Sequence, residues 1–275
     1  AAGLSAAFNT PLAGIIFAIE EVARDFESRT NGTMITTVVF SGLVSLALAG
    51  NYLYFGQINV PQNLDIHYVL PVILAALVCG LLGAAFNWAL LYWERWMPAP
   101  LRAWHSNKPL LYALVIGLAI AALGVATGGE TWGSGYDQAR HLLEGTAPLS
   151  QGYAVTKWAA MVISYMAGIP GGLFSPSLSI GAGLAQWIHL AFAWAPMPAL
   201  IALCMTGYLA AVTQSPITSF VIVMEMTNGT GMIIPMMATA LIAGRISGAV
   251  TPPLYEALAE KNYFPSPDNR SQHNG

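Results

Sequence analysis

Between residues 158 and 224 the sequence contains no Asp, Glu, Lys or Arg. A segment of that length without a formal charge cannot present a soluble surface. The whole chain is only 8% charged, where a soluble globular domain carries about 25%. The 275 residues are 56% hydrophobic, and the chain reads as an integral membrane protein. Net charge is −3, so no basic footprint for nucleic acid is present. Cys79 and Cys204 lie inside apolar runs and read as small core residues, with no disulfide framework or metal cluster implied. The N-terminus, Ala1-Ala2-Gly3-Leu4, lacks Met and a basic region. It is not a signal peptide, and it opens in mid-pattern, as a piece of a longer protein would.

A spanning helix needs about 20 mainly apolar residues. Seven windows are candidates: 34–49, 69–93, 110–126, 155–166, 174–194, 199–212 and 232–250. Their uneven lengths predict tilted, re-entrant or broken helices, which survive at membrane depth only when shielded by protein or lining a cavity. The loop over 94–108 carries Arg95, Arg102 and Lys108, and the segment near 22–30 carries Arg24 and Arg29. The loop over 50–62 has no Lys or Arg. Positive-inside reasoning places the first two at the cytoplasm and the third outside. The polar tail, 263–275, is expected to fray.

Two distant stretches repeat a pattern. Residues 6–20 read AAFNTPLAGIIFAIE, and residues 210–225 read AAVTQSPITSFVIVME. Each runs from a small pair through a polar step and a Pro to a Glu, with Pro11-to-Glu20 and Pro216-to-Glu225 equally spaced. Each reads as a short helix entered at Pro, whose missing N–H is not needed there. Weak internal repeats mark transporters built from two halves.

Residues 168–176, GIPGGLFSP, place helix breakers in this apolar context. A helix N-terminus leaves backbone N–H groups unpaired and carries partial positive charge, an anion site without a full cation. Gly171 and Gly172 allow a sharp turn and close approach to the backbone. Pro176 suits the first turn of the following helix. The free donors then belong to Leu173 and Phe174. Sequence mechanics alone leave a plain helix-breaking loop equally open.

The stretch GIPGGLFSPSLSIGAG resembles the filter segment of the CLC family of chloride channels and chloride/proton antiporters. AAFNTPLAGIIFAIEEV resembles that family's segment ending in paired glutamates. PPLYEAL resembles its closing helix, and SFVIVMEMT also fits. The resemblance implies an all-α, CLC-type inverted-repeat fold, with the end of the first repeat at 1–50, the second repeat at 66–250 and a closing helix at 251–262. It implies that Leu173 and Phe174 offer backbone amides to chloride, that Tyr255 donates its hydroxyl to the same ion, and that Glu21 passes protons from the cytoplasm. It further implies a homodimer whose interface helices match 11–20, 34–49, 216–225 and 232–250. No cofactor is implied; the ligand is chloride. The family's serine-bearing and gating-glutamate segments would belong N-terminal to residue 1, so this chain alone is not expected to transport ions.

Adjacent glutamates project about 100° apart on a helix, so one of Glu20 and Glu21 faces any given path. Glu20 reads as a structural cap and Glu225, its repeat mate, likewise. His189 reads as a core residue, Lys157 as a snorkelling side chain, and 133–136 as a loop turn. An intramembrane serine protease using Ser134 with His141 or His189 is the enzyme alternative; against it, Ser134 sits in a stretch with Asp137, Arg140 and Glu144 that reads as a surface loop. A passive chloride channel is the transport alternative.

Overall fold

The computed structural model describes residues 1–23, 30–50, 52–58, 66–169 and 171–263. Arg24, Arg29 and the tail from 264 onward lie outside these. The described residues form α1 (Ala2–Phe8), α2 (Pro11–Phe17) running into a π-helical segment (Ala18–Ala23), α3 (Thr30–Ala49), α4 (Val69–Trp96), α5 (Ala99–Asn107), α6 (Pro109–Ala126), α7 (Tyr136–Glu144), α8 (Tyr153–Met166), α9 (Phe174–Ala191), α10 (Met197–Thr213), α11 (Pro216–Thr227), α12 (Ile233–Gly248) and α13 (Leu254–Tyr263). All seven predicted windows hold a helix. The fifth ends early, at Ala191 rather than 194, where Phe192 leaves helical backbone (φ −130°, ψ 59°).

Among the described residues, four spans are long and apolar enough to cross a membrane: Gly32–Ala49, Val69–Arg95, Pro109–Ala126 and Thr230–Gly248. α10 is shorter and needs no lipid. Every residue from Ala199 to Thr213 is buried, and the helix packs against α4, α9, α11 and α12. Apolar lipid gives helices no hydrophobic drive to associate, so close packing of small residues takes over. Gly181 of α9 shows how close: a Cβ there would stand 2.6 Å from both the Cys204 carbonyl oxygen and the Met205 Cα. Cys79 and Cys204 are free thiols buried at the α4–α10 contact. Asn87 of α4 closes the far end of α10, donating to the carbonyls of Ala211 (3.2 Å) and Val212 (3.0 Å).

Two stretches read as loops are helical. α5 occupies the charged 94–108 segment, and Arg102 Nη2 donates to the Glu94 carbonyl at 2.6 Å, satisfying the end of α4. α7 follows the Gly133–Gly135 turn directly. It buries Ala139, Leu142 and Leu143 and starts and stops at the left-handed residues Gly135 (φ 81°) and Gly145 (φ 66°). One apolar stripe on a short, otherwise charged segment is easily mistaken for surface loop.

The third departure is Lys157. It does not snorkel but is 1% exposed. Its Nζ donates to the carbonyls of Thr131 (2.9 Å), Trp132 (3.4 Å) and Gly133 (2.7 Å). The turn presents three carbonyls to one ammonium, which satisfies both sides. Lys157→Met leaves those carbonyls without their donor, so it is expected to lower unfolding stability by about 2–3 kcal/mol. Thermal unfolding in detergent checks it.

Candidate functional site

The repeat seen in the sequence closes on itself in space. Asn9 and Gln214 both adopt left-handed backbone, at φ 53° and 57°. Thr10 (φ −126°, ψ 72°) and Ser215 (φ −115°, ψ 79°) then extend the chain into Pro11 and Pro216, each the first residue of its helix. The additional residue of the second copy is absorbed at the end of α10.

Each repeat's glutamate caps the other repeat's helix. Glu225 accepts from the backbone N–H of Leu12 (3.1 Å) and Ala13 (2.7 Å). Glu20 accepts from the N–H of Ile217 (3.0 Å) and Thr218 (2.7 Å) and from the Thr218 hydroxyl (2.7 Å). A carboxylate at a helix N-terminus meets both free donors and the positive end of the dipole. α2 and α11 are thus clasped antiparallel at both ends. The structural reading of Glu20 and Glu225 is what the geometry presents.

Glu21 does something else. Its Oε2 accepts from the Ser215 hydroxyl at 2.6 Å. With Glu20, Gln214, Ile217 and Pro253 it lines a cavity of about 540 Å³. The π-helical segment carrying both glutamates is a form often found at functional sites.

The 171–176 stretch lines a second cavity, also about 540 Å³, with Gly133, Ser134 and Tyr165. The earliest backbone hydrogen bond of α9 in the chain runs from Ser177 N–H to Leu173 C=O at 3.0 Å. The N–H groups before it have no intrahelical acceptor. The left-handed residue of this segment is Gly168 (φ 73°) rather than Gly171 or Gly172. Those two are exposed and have open space where a Cβ would stand, so they widen the cavity rather than make the turn. Leu173 is 9% exposed, and Pro176 is buried in the first turn of α9.

Aromatic contacts run from the filter cavity toward the chain segments that line the Glu21 cavity. Phe174 stacks on Tyr255 (centroids 6.4 Å apart, planes at 21°) and meets Phe17 edge-on at 5.4 Å. Tyr255 follows Pro253 of the Glu21 cavity by two residues. The topology orients the pair. Tyr136, after α6, donates its hydroxyl to the Tyr54 carbonyl at 2.9 Å in the segment before α4. Both loops therefore lie on one side, opposite the Arg95, Arg102 and Lys108 segment. Positive-inside reasoning makes the Tyr54–Tyr136 side external. The Tyr54 segment also holds the end of α11 (Phe55 N–H to Met226 C=O, 3.1 Å), so the start of α11 and the Glu21 cavity beside it face the opposite, cytoplasmic side.

Ser134 and the two histidines proposed with it are not brought together. His141 Nδ1 lies 2.8 Å from the Thr146 hydroxyl, and the Ser134 hydroxyl accepts from the Tyr136 N–H at 3.4 Å. His189 is half-buried, with Nδ1 lacking a hydrogen-bond partner. Sequence reading missed Ser215, whose signal was its place beside the repeated proline.

Paired, oppositely directed helices, apolar spans and interrupted backbone lining cavities are features of inverted-repeat membrane folds. The sequence profile of the voltage gated chloride channel family matches residues 1–248, and the chain belongs to that family. It is 29% identical over 275 residues to the H(+)/Cl(-) exchange transporter ClcA of Yersinia pestis, covering 94% of this chain and 56% of that protein. The Salmonella arizonae ClcA is 31% identical over 267 residues, with 88% and 52% covered. The chain thus spans about half the length of these relatives. Two solved structures share the fold. A slow cyanobacterial Cl-/H+ antiporter superposes with TM-score 0.75 at 22% identity, covering 94% of this chain and 62% of that one. A CLC-type fluoride/proton antiporter gives 0.74 at 21%, with 90% and 61% covered.

Proposed function

We propose that the intact protein exchanges chloride for protons across the bacterial inner membrane, as a homodimer with one pore per subunit and no cofactor. One observation carries this reading. Phe174, at a helix start whose first N–H groups have no intrahelical acceptor, lines one cavity and stacks on Tyr255, two residues past Pro253 of the cavity that holds Glu21. In this reading Leu173 and Phe174 offer their amides to chloride, and Tyr255 donates its hydroxyl to the same ion. Glu21 loads and passes the proton. The amides hold an anion without a full cation, weakly enough for release. The exposed apolar side chains Leu12, Phe40, Leu43, Ile217, Ile234 and Leu241 lie on the helices assigned to the dimer interface and are open to a second subunit or to lipid.

Partly dehydrated donors suit a large anion that sheds water cheaply. Liposome flux assays of the intact protein are expected to show chloride moving at least about tenfold faster than fluoride, by the desolvation argument. Equal or faster fluoride flux would overturn the assignment to chloride.

A further inference from the structure

The two repeats differ at the position after the shared glutamate, and that difference isolates what was added to a shared scaffold. The mate of Glu20 is Glu225, and both are caps. The mate of Glu21 is Met226, which cannot titrate. The mate of Ser215 is Thr10, whose buried hydroxyl finds no hydrogen-bond partner, whereas the Ser215 hydroxyl donates to Glu21 at 2.6 Å. The same backbone position therefore carries a hydroxyl in both halves, and only the half with a facing carboxylate uses it.

Ser215 is held rigidly. It is 1% exposed, and its carbonyl accepts from the Ser219 N–H at 3.1 Å and the Ser219 hydroxyl at 2.8 Å. Its neighbour Gln214 reaches the other way, with Nε2 donating to the Thr251 carbonyl at 2.9 Å, four residues before Tyr255. Adjacent residues thus tie the Glu21 carboxylate and the turn leading to Tyr255 to one point of the backbone.

We propose that Ser215 is a positioning residue for proton transfer: its hydroxyl aims the Glu21 carboxylate across the cytoplasmic cavity, in fixed register with the Tyr255 turn. A hydrogen bond to an ionised acceptor is short and directional, so it selects one rotamer of a side chain with several available. Without it the carboxylate still titrates but spends less time in the transferring geometry. The inference rests on Glu21 being the proton carrier.

Simultaneous pH- and chloride-electrode recordings on liposomes holding the intact protein test both levels. Ser215→Ala is expected to lower the proton-to-chloride flux ratio by about tenfold, with chloride flux within about twofold of wild type. Ser215→Thr, which keeps the hydroxyl, is expected to restore the ratio. A wild-type ratio in Ser215→Ala, or a Thr variant as defective as the Ala one, overturns the positioning role, since packing rather than the hydroxyl would then matter. Glu21→Gln separates the levels. If it keeps the ratio, the carrier assignment itself fails. If it loses the ratio while Ser215→Ala keeps it, only Ser215 is misassigned. Should Ser215→Ala fail to assemble, Ser215→Cys, a weak donor, is expected to give an intermediate ratio, and a wild-type ratio there also overturns the role.

Discussion

Glu21→Gln is expected to cut proton movement by at least about a hundredfold while chloride still crosses. The amide keeps the shape of the side chain, and its carbonyl oxygen still accepts from Ser215, so packing around the cavity is retained. What disappears is the titratable site. Glu20, the adjacent carboxylate, cannot take over. Its two oxygens are held by the Ile217 and Thr218 N–H groups and the Thr218 hydroxyl, and loading a proton there would weaken the cap on α11. Electrode recordings with and without a chloride gradient measure the loss, and a Gln variant that pumps protons at the wild-type rate would return Glu21 to a structural role.

The second large effect concerns the clasp. Glu20→Ala and Glu225→Ala each strip a helix N-terminus of its carboxylate and leave part-buried donors without their acceptor. Each is expected to cost about 2–4 kcal/mol of stability. Glu20→Ala should cost more, since three donors lose their acceptor against two for Glu225→Ala. Because both caps hold the same helix pair, the double variant should fall short of the sum. Denaturation of the purified protein in detergent, run as a double-mutant cycle, checks this. Strict additivity would mean the two ends act independently and no clasp exists.

The sequence carries this clasp in plain view, as two prolines each nine residues before a glutamate. Spacing of that kind survives because helix geometry fixes where a carboxylate lands relative to its own N-terminus. Which N-terminus it reaches is a tertiary fact: local spacing cannot say that Glu20 serves α11 and Glu225 serves α2. The long apolar helices were legible for the simple reason that lipid demands about 20 residues of hydrocarbon. α7 and α5 were not, because a short helix covering only one face mixes charge with apolar residues and matches neither template. Lys157 was misplaced for a related reason. A lone cation in an apolar run reads as an interfacial side chain unless the three carbonyls that receive it, 24 to 26 residues upstream, are in view. At the filter, the glycines pointed to the right segment but to the wrong detail. Gly168 bends the chain, and Gly171 and Gly172 leave space.

The central claim is that one protein couples the two ions, chloride at the Phe174 helix start and the proton at Glu21. The most direct measurement places the intact protein in liposomes with an outward chloride gradient and no initial pH difference. If chloride and protons are exchanged, chloride efflux drives protons inward, the outside medium turns alkaline against a growing proton gradient, and reversing the chloride gradient reverses the sign. Chloride efflux with no uphill proton movement would contradict exchange and leave a passive chloride pore.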